Sequence, residues 1–258
     1  MATATILTPQ RVDELITIYR DGLLDDVLPF WIKHSVDDEY GGYMFCVDRD
    51  GSRIDTDKGV WQQGRFAWML ATLYNTVEPR PEWLALAKHG LDFLRRYGFD
   101  SDGRMFFHLT RDGRPVRKRR YFFSEAFFIA AAAAYAEATG DEQARAEALD
   151  VFGRVVRYIT VPGLLPPKYN TDVRPMKALA TPMIMTITAQ ILRQATGDPI
   201  CDEWIERSIE EIERDFVKPE FQAVLEVTGP NGEFIDHFDG RTMNPGHAIE
   251  AAWFILQE

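Results

Sequence analysis

Cysteine is almost absent from this chain. Cys46 and Cys201 are the only two, they form no ligand motif, and they exclude a dense disulfide framework, which points to a reduced, cytoplasmic setting. No apolar run reaches the ~18 residues that a bilayer span needs, and the opening MATATILTPQ has neither the basic nor the long apolar region of an export signal, so neither a membrane nor export is expected. Basic residues are outnumbered, 29 Lys and Arg against 40 Asp and Glu, for a formal net charge of −11; a nucleic acid would gain little from such a surface. The basic run 114–120 is a local exception and reads as a solvated loop. Also missing are His-Glu-x-x-His and Cys-x-x-Cys ligand spacings, a phosphate-cradling Gly-Lys loop, a Gly-x-Gly-x-x-Gly turn and a Gly-x-Ser-x-Gly elbow. What remains is acid–base chemistry without a metal. Histidine is sparse too, five in all and none after His247.

What the chain does have is helical periodicity, interrupted at regular intervals. A helix is expected over 9–31, with Val12, Leu15, Ile16, Tyr19, Leu23 and Leu24 on one apolar stripe. Strand, turn and strand follow over 42–47 and 48–51, and helical spacing resumes over 60–77. The order recurs: helix 81–97, extended 105–109, a turn at 111–113, and a strongly apolar helix 122–139. Helices are also expected over 142–159, 174–195 and 200–216, then a hairpin over 223–234 around Asn231-Gly232, then a helix opening at Pro245. The turn glycines Gly51, Gly113 and Gly232 fall at one and about two multiples of some sixty residues, so the chain reads as about four helix pairs in one domain over 1–258. Helix 122–139 is apolar nearly all round, as an inner helix of a closed ring would be, whereas 142–159 and 200–216 carry charged outer faces. The proline-bearing stretch 161–175 reads as a shaped loop at the mouth of that ring.

One histidine is offered at a prepared position. In Asn244-Pro245-Gly246-His247-Ala248-Ile249-Glu250, Asn244 suits the N-cap, Pro245 the first helical position, and Glu250 lies three residues beyond His247 on the same face. Trp61-Gln62-Gln63-Gly64-Arg65 opens another helix with Trp61, Arg65 and Trp68 on one side. Arg65 is there either as a partner for an outer-helix carboxylate or as a cation facing sugar oxygens or an oxyanion. Glu125, at the start of helix 122–139, either complements the helix dipole or points inward to bind hydroxyls. Asp55, Asp57, Asp236 and Asp239 read as turn residues, and His34, His89 and His108 as structural. His237 with His247 would be a weak metal pair, and no ligand spacing supports it.

At these residues the chain resembles the N-acylglucosamine 2-epimerase family. The matching blocks are Gly41-Gly42-Tyr43, Asp48-Arg49-Asp50-Gly51, Asp55-Thr56-Asp57-Lys58, Trp61 to Arg65, Phe123 to Phe127, Arg174-Pro175-Met176-Lys177 and Asn244 to Glu250, in family order. The resemblance implies an all-α (α/α)6 barrel with short hairpins between helices, and interconversion of N-acetylglucosamine and N-acetylmannosamine through C2 deprotonation. It assigns His247 as one of two acid–base histidines, Glu250 as its orienting partner and Arg65 as the stabiliser of the anion at O1. It makes Trp61, Gln62, Glu125, Met176 and Asn244 substrate contacts. It requires no cofactor, allows ATP as an allosteric effector, and implies a homodimer. Two features depart from the pattern: no second catalytic histidine follows His247, and four helix pairs fall short of six. A chain truncated at its C-terminus and nearly inactive alone is therefore expected. Other enzyme readings are an aldose–ketose isomerase, a mannose or cellobiose 2-epimerase, and an (α/α) glycoside hydrolase using Asp57, Glu125 or Asp236. A binding fragment without activity is the reading from another class.

Overall fold

The computed structural model describes residues 8–258; positions 1–7, which carry most of the opening stretch read above, lie outside it. Thr8 caps the first helix, its hydroxyl accepting the Arg11 N–H at 3.2 Å, and Pro9 takes the first helical position. Helical winding then runs to Ser35 in three stretches: α1 (Pro9–Ile16), a π-wound middle (Thr17–Val27) and α2 (Leu28–Ser35). The Leu28 N–H reaches back five residues to the Leu23 carbonyl, which marks the wider winding. This divides the expected apolar stripe. Leu23 and Leu24 pack against the core, while Val12, Ile16 and Tyr19 stay exposed, because a stripe laid out at 3.6 residues per turn does not hold one side of a helix of another pitch.

Beyond it, helices alternate between an inner and an outer layer. The inner ones are α3 (Val60–Thr76), α5 (Phe123–Thr139), α7 (Ala180–Thr196) and α9 (Pro245–Gln257); the outer ones are α4 (Pro81–Phe93), α6 (Glu142–Thr160) and α8 (Pro199–Glu211). Each inner helix packs on the next, and α4, α6 and α8 back α3, α5 and α7. In α5, 13 of 17 residues are buried, so it is covered on every side as its composition requires. In contrast, α6 buries only Ala144, Ala148, Val151, Phe152 and Val155, one stripe at helical spacing. Gly64 is where α3 and α5 come closest. A Cβ at Gly64 would stand 2.7 Å from the backbone carbon and oxygen of Phe127, so only glycine allows this approach.

Short strands collect between helix ends. β1 (Lys58–Gly59), β2 (His108–Leu109) and β3 (Pro115–Arg117) form one antiparallel sheet; β4 (Lys177–Ala178) pairs with β7 (Val227–Thr228), and β5 (Val217–Lys218) with β6 (Ala223–Val224). Three expectations are corrected here. The helix expected over 174–195 begins only at Ala180, since Lys177 and Ala178 use their backbone in the β4–β7 ladder. Residues 223–234 do not zip into one hairpin: the turn forms, with Gly229 N–H on the Glu233 carbonyl at 2.8 Å, but its arms pair outward with other segments. Residues 42–47 make only isolated bridges, Val36 with Tyr43 and Val47 with Arg53. Cys46 and Cys201 are both free thiols. Among the described residues no helix is long and apolar enough to cross a membrane.

Candidate functional site

The start of α9 forms as its sequence requires. The Asn244 side-chain oxygen accepts the backbone N–H of Gly246 at 3.1 Å and of His247 at 3.3 Å. Its oxygen is thus engaged in capping, a structural role beside the substrate contact expected at Asn244. At 3.6 residues per turn His247, Glu250, Trp253 and Gln257 share one face of α9. Trp253 and Gln257 line the interior further along the helix, whereas His247 sits at its N-terminal end and borders neither interior cavity.

The partner of His247 is not the one expected. Its Nδ1 lies 2.9 and 3.0 Å from the two carboxylate oxygens of Glu226, in the turn between β6 and β7. Glu250 makes no hydrogen bond or ion pair among the described residues. Helical side chains lean toward the helix N-terminus, so the imidazole in the first turn reaches back to the strand layer rather than forward to Glu250. The backbone of Glu226 is itself fixed at both ends: its carbonyl accepts the Leu179 N–H at 3.0 Å and its N–H donates to the Thr242 carbonyl at 3.2 Å. His247 and Glu226 stay partly open to solvent, 36% and 20%.

Across the interior, α3 contributes a wall of aromatics. Trp31, Trp61, Gln62, Arg65, Trp68 and Trp253 border a cavity of about 800 Å³. Phe127 of α5 is the centre around which the α3 side chains gather, its ring 5.5 Å from Trp61 and 6.3 Å from Trp68, with the Arg65 guanidinium 5.3 Å above it. Among the described residues Arg65 meets no carboxylate within 4.0 Å, so the ion-pair reading is set aside and the cation faces open space. Gln62 and Gln63 divide their tasks. Gln63 clamps the Tyr43 backbone, accepting its N–H at 2.6 Å and donating to its carbonyl at 2.7 Å, whereas Gln62 borders the cavity with a buried side-chain oxygen that lacks a partner.

Two expected contacts lie elsewhere. Glu125 is buried and turned outward, one oxygen accepting the Met105 N–H at 2.9 Å; desolvation raises its pKa. It fixes the strand layer to α5 and borders neither interior cavity. Met176 borders a separate hollow of about 440 Å³ with Arg174, Glu233 and His237, because β4 holds it on the strand side. The hydrolase reading fails on the same ground, since Asp57, Glu125 and Asp236 do not meet in the interior; Asp236 pairs with Arg241 at 2.6 Å. His89 bonds the Gly42 carbonyl at 3.1 Å and His34 packs on Phe30, both as structural groups.

Lys58, in the acidic block before α3, is fully buried with Asp37. Its three N–H groups go to Asp37 at 2.7 Å, the Gly41 carbonyl at 2.6 Å and the Arg111 carbonyl at 2.9 Å. Arg111 closes on both Asp37 oxygens at 2.7 and 3.0 Å. Burial by itself would raise the Asp37 carboxyl, but the hydrogen bonds from Arg111 and Lys58 outweigh it and bring it down to about 2.

Comparison with known proteins gives this arrangement a place. The sequence profile of the N-acylglucosamine 2-epimerase (GlcNAc 2-epimerase) family matches residues 42–257. The chain is 34% identical over 262 residues to the N-acylglucosamine 2-epimerase of Bos taurus, across 96% of this chain and 61% of that protein. It therefore spans about three-fifths of the length of that relative. Among solved structures, the cellobiose 2-epimerase of Bacillus thermoamylovorans B4167 superposes with a TM-score of 0.81 at 22% identity, over 94% of this chain and 66% of that one. A D-mannose isomerase does so with a TM-score of 0.75 at 18% identity, over 99% and 66%. The helix pairs follow the (α/α)6 barrel path, and the chain belongs to the N-acylglucosamine 2-epimerase family.

Proposed function

We propose that this chain carries the proton-abstracting face of a sugar 2-epimerase site that takes open-chain N-acetylmannosamine or N-acetylglucosamine. One observation carries the reading: an imidazole fixed through Nδ1 by a carboxylate, at the start of the inner helix whose Trp253 borders an aromatic cavity, in which Arg65 has no carboxylate partner among the described residues. In the open-chain sugar the aldehyde acidifies the C2 hydrogen. His247 Nε2 takes that proton; the C–H electron pair becomes the C1=C2 bond as the carbonyl oxygen becomes an enolate oxygen. Arg65 faces this oxygen as a fixed cation, and Trp61 and Trp68 supply flat apolar surfaces for the carbon face of the sugar. Histidine suits the step because its unperturbed pKa of ~6.5 lies close to neutral pH.

Inversion at C2 needs proton return to the opposite face, and His247 serves one face only. The expected behaviour is hydrogen exchange at C2 that outruns net epimerisation. Proton NMR of N-acetylmannosamine in D2O with the chain tests this. Deuterium entering C2 faster than N-acetylglucosamine accumulates agrees with the proposal; an unchanged C2 proton signal over many turnover equivalents contradicts it.

A further inference from the structure

We propose that Glu226 is the residue that positions His247 and fixes its tautomer, with Nδ1 protonated and Nε2 left bare. As a statement about catalysis this rests on the function proposed above; as a statement about the imidazole it stands alone. A carboxylate only accepts hydrogen bonds, so the imidazole nitrogen lying 2.9 and 3.0 Å from the two Glu226 oxygens must carry the proton. The neutral ring then has its lone pair on Nε2, which makes no hydrogen bond among the described residues. Which nitrogen of a histidine acts is set by the bond the other one makes.

The position of Glu226 in the fold supports the role. It lies 21 residues before His247, yet its N–H is bonded to Thr242, two residues ahead of the Asn244 cap. Its carbonyl is bonded to Leu179, where α7 begins. The same short segment therefore sets where α9 starts and holds the carboxylate against the ring in its first turn. Flanking Leu225 and Val227 are buried, so the backbone is anchored while the carboxylate is partly open to solvent at 20%. Once Nε2 has taken a proton the ring is a cation, and the adjacent Glu226 charge stabilises it without receiving the proton itself.

The test reads the imidazole and the reaction separately. At about pH 8.5, where an ordinary imidazole is neutral, nitrogen-15 NMR of the whole chain should show His247 as the Nδ1–H form. Glu226→Leu should shift it toward Nε2–H, whereas Glu250→Gln should leave the tautomer alone. Glu226→Gln keeps the shape; it should lower kcat for C2 exchange by roughly 10²-fold or more while KM stays within about twofold. Nε2–H in the unaltered chain, or a tautomer that follows Glu250 instead of Glu226, would overturn the proposal. So would a Glu226→Gln chain that exchanges at full rate. If the unaltered chain exchanges nothing, the proposed function fails while the tautomer still decides the role of Glu226.

Discussion

Two groups each built on a carboxylate tie the strand layer to neighbouring segments, and they differ in what they leave free. At Asp37, Lys58 and Arg111 the count is closed: three lysine N–H groups meet three acceptors, each Asp37 oxygen takes two N–H groups, one from Arg111 and the other from Lys58 or the Glu39 backbone, and Asp37 and Lys58 are shut off from water. At Glu226 and His247 one ring nitrogen is bound, the other has no partner among the described residues, and both side chains touch solvent. A saturated buried pair has nothing left to offer a ligand, and losing one member strands a charge. A partly solvated pair with one unbound nitrogen contributes little to stability and has an atom ready for proton transfer.

The largest way to break this comparison is at the closed group. Lys58→Ala should destabilise the fold by about 3–5 kcal/mol, measured by urea unfolding; a loss below about 1 kcal/mol would mean that the buried cluster is not a structural anchor. Next comes the helix contact that carries the aromatic wall. Gly64→Ala should cost about 1–3 kcal/mol, because the α5 backbone has to move, and it should also alter the tryptophan fluorescence from Trp61 and Trp68. Acid should find the closed group as well. With the Asp37 carboxyl near 2 when folded and higher when unfolded, its contribution is complete above about pH 4 and disappears as pH falls through 2. Asp37→Asn should remove that acid limb from an unfolding-against-pH curve. Glu125 runs the other way and has the smallest effect. Its raised pKa means that its stability contribution is complete below the ordinary glutamate value and lost as pH rises through the folded one. Glu125→Gln, which still accepts the Met105 N–H, should raise the thermal midpoint at about pH 7 and leave it unchanged at about pH 4; equal midpoints at both would contradict the assignment.

The same contrast explains what could be read from the residues alone. The inner position of α5 was legible because thirteen buried residues leave no polar face, and the α9 start was legible because Asn244 and Pro245 act within one turn. Local chemistry writes itself into adjacent letters. Glu226 was not legible, since its link to His247 crosses 21 residues and depends on β7 pairing with β4 rather than folding back on its own turn. The signal for it was faint: one carboxylate inside the apolar run Val224-Leu225-Glu226-Val227, where a charge has to have a reason. Glu125 misled for the opposite reason, as its place at a helix start fits an inward or an outward side chain equally, and only the Met105 N–H settles the direction. Phe127 does not stand out within the apolar helix 122–139, though three side chains of the cavity wall converge on it.

The most direct measurement pairs activity with stability in His247→Gln. Because both members of that pair are partly solvated, the unfolding free energy from urea denaturation should change by no more than about 0.5 kcal/mol. Deuterium exchange at C2 of N-acetylmannosamine should fall by roughly 10²–10⁴-fold. Exchange that survives in His247→Gln, or an unfolding loss like that of Lys58→Ala, would contradict the account.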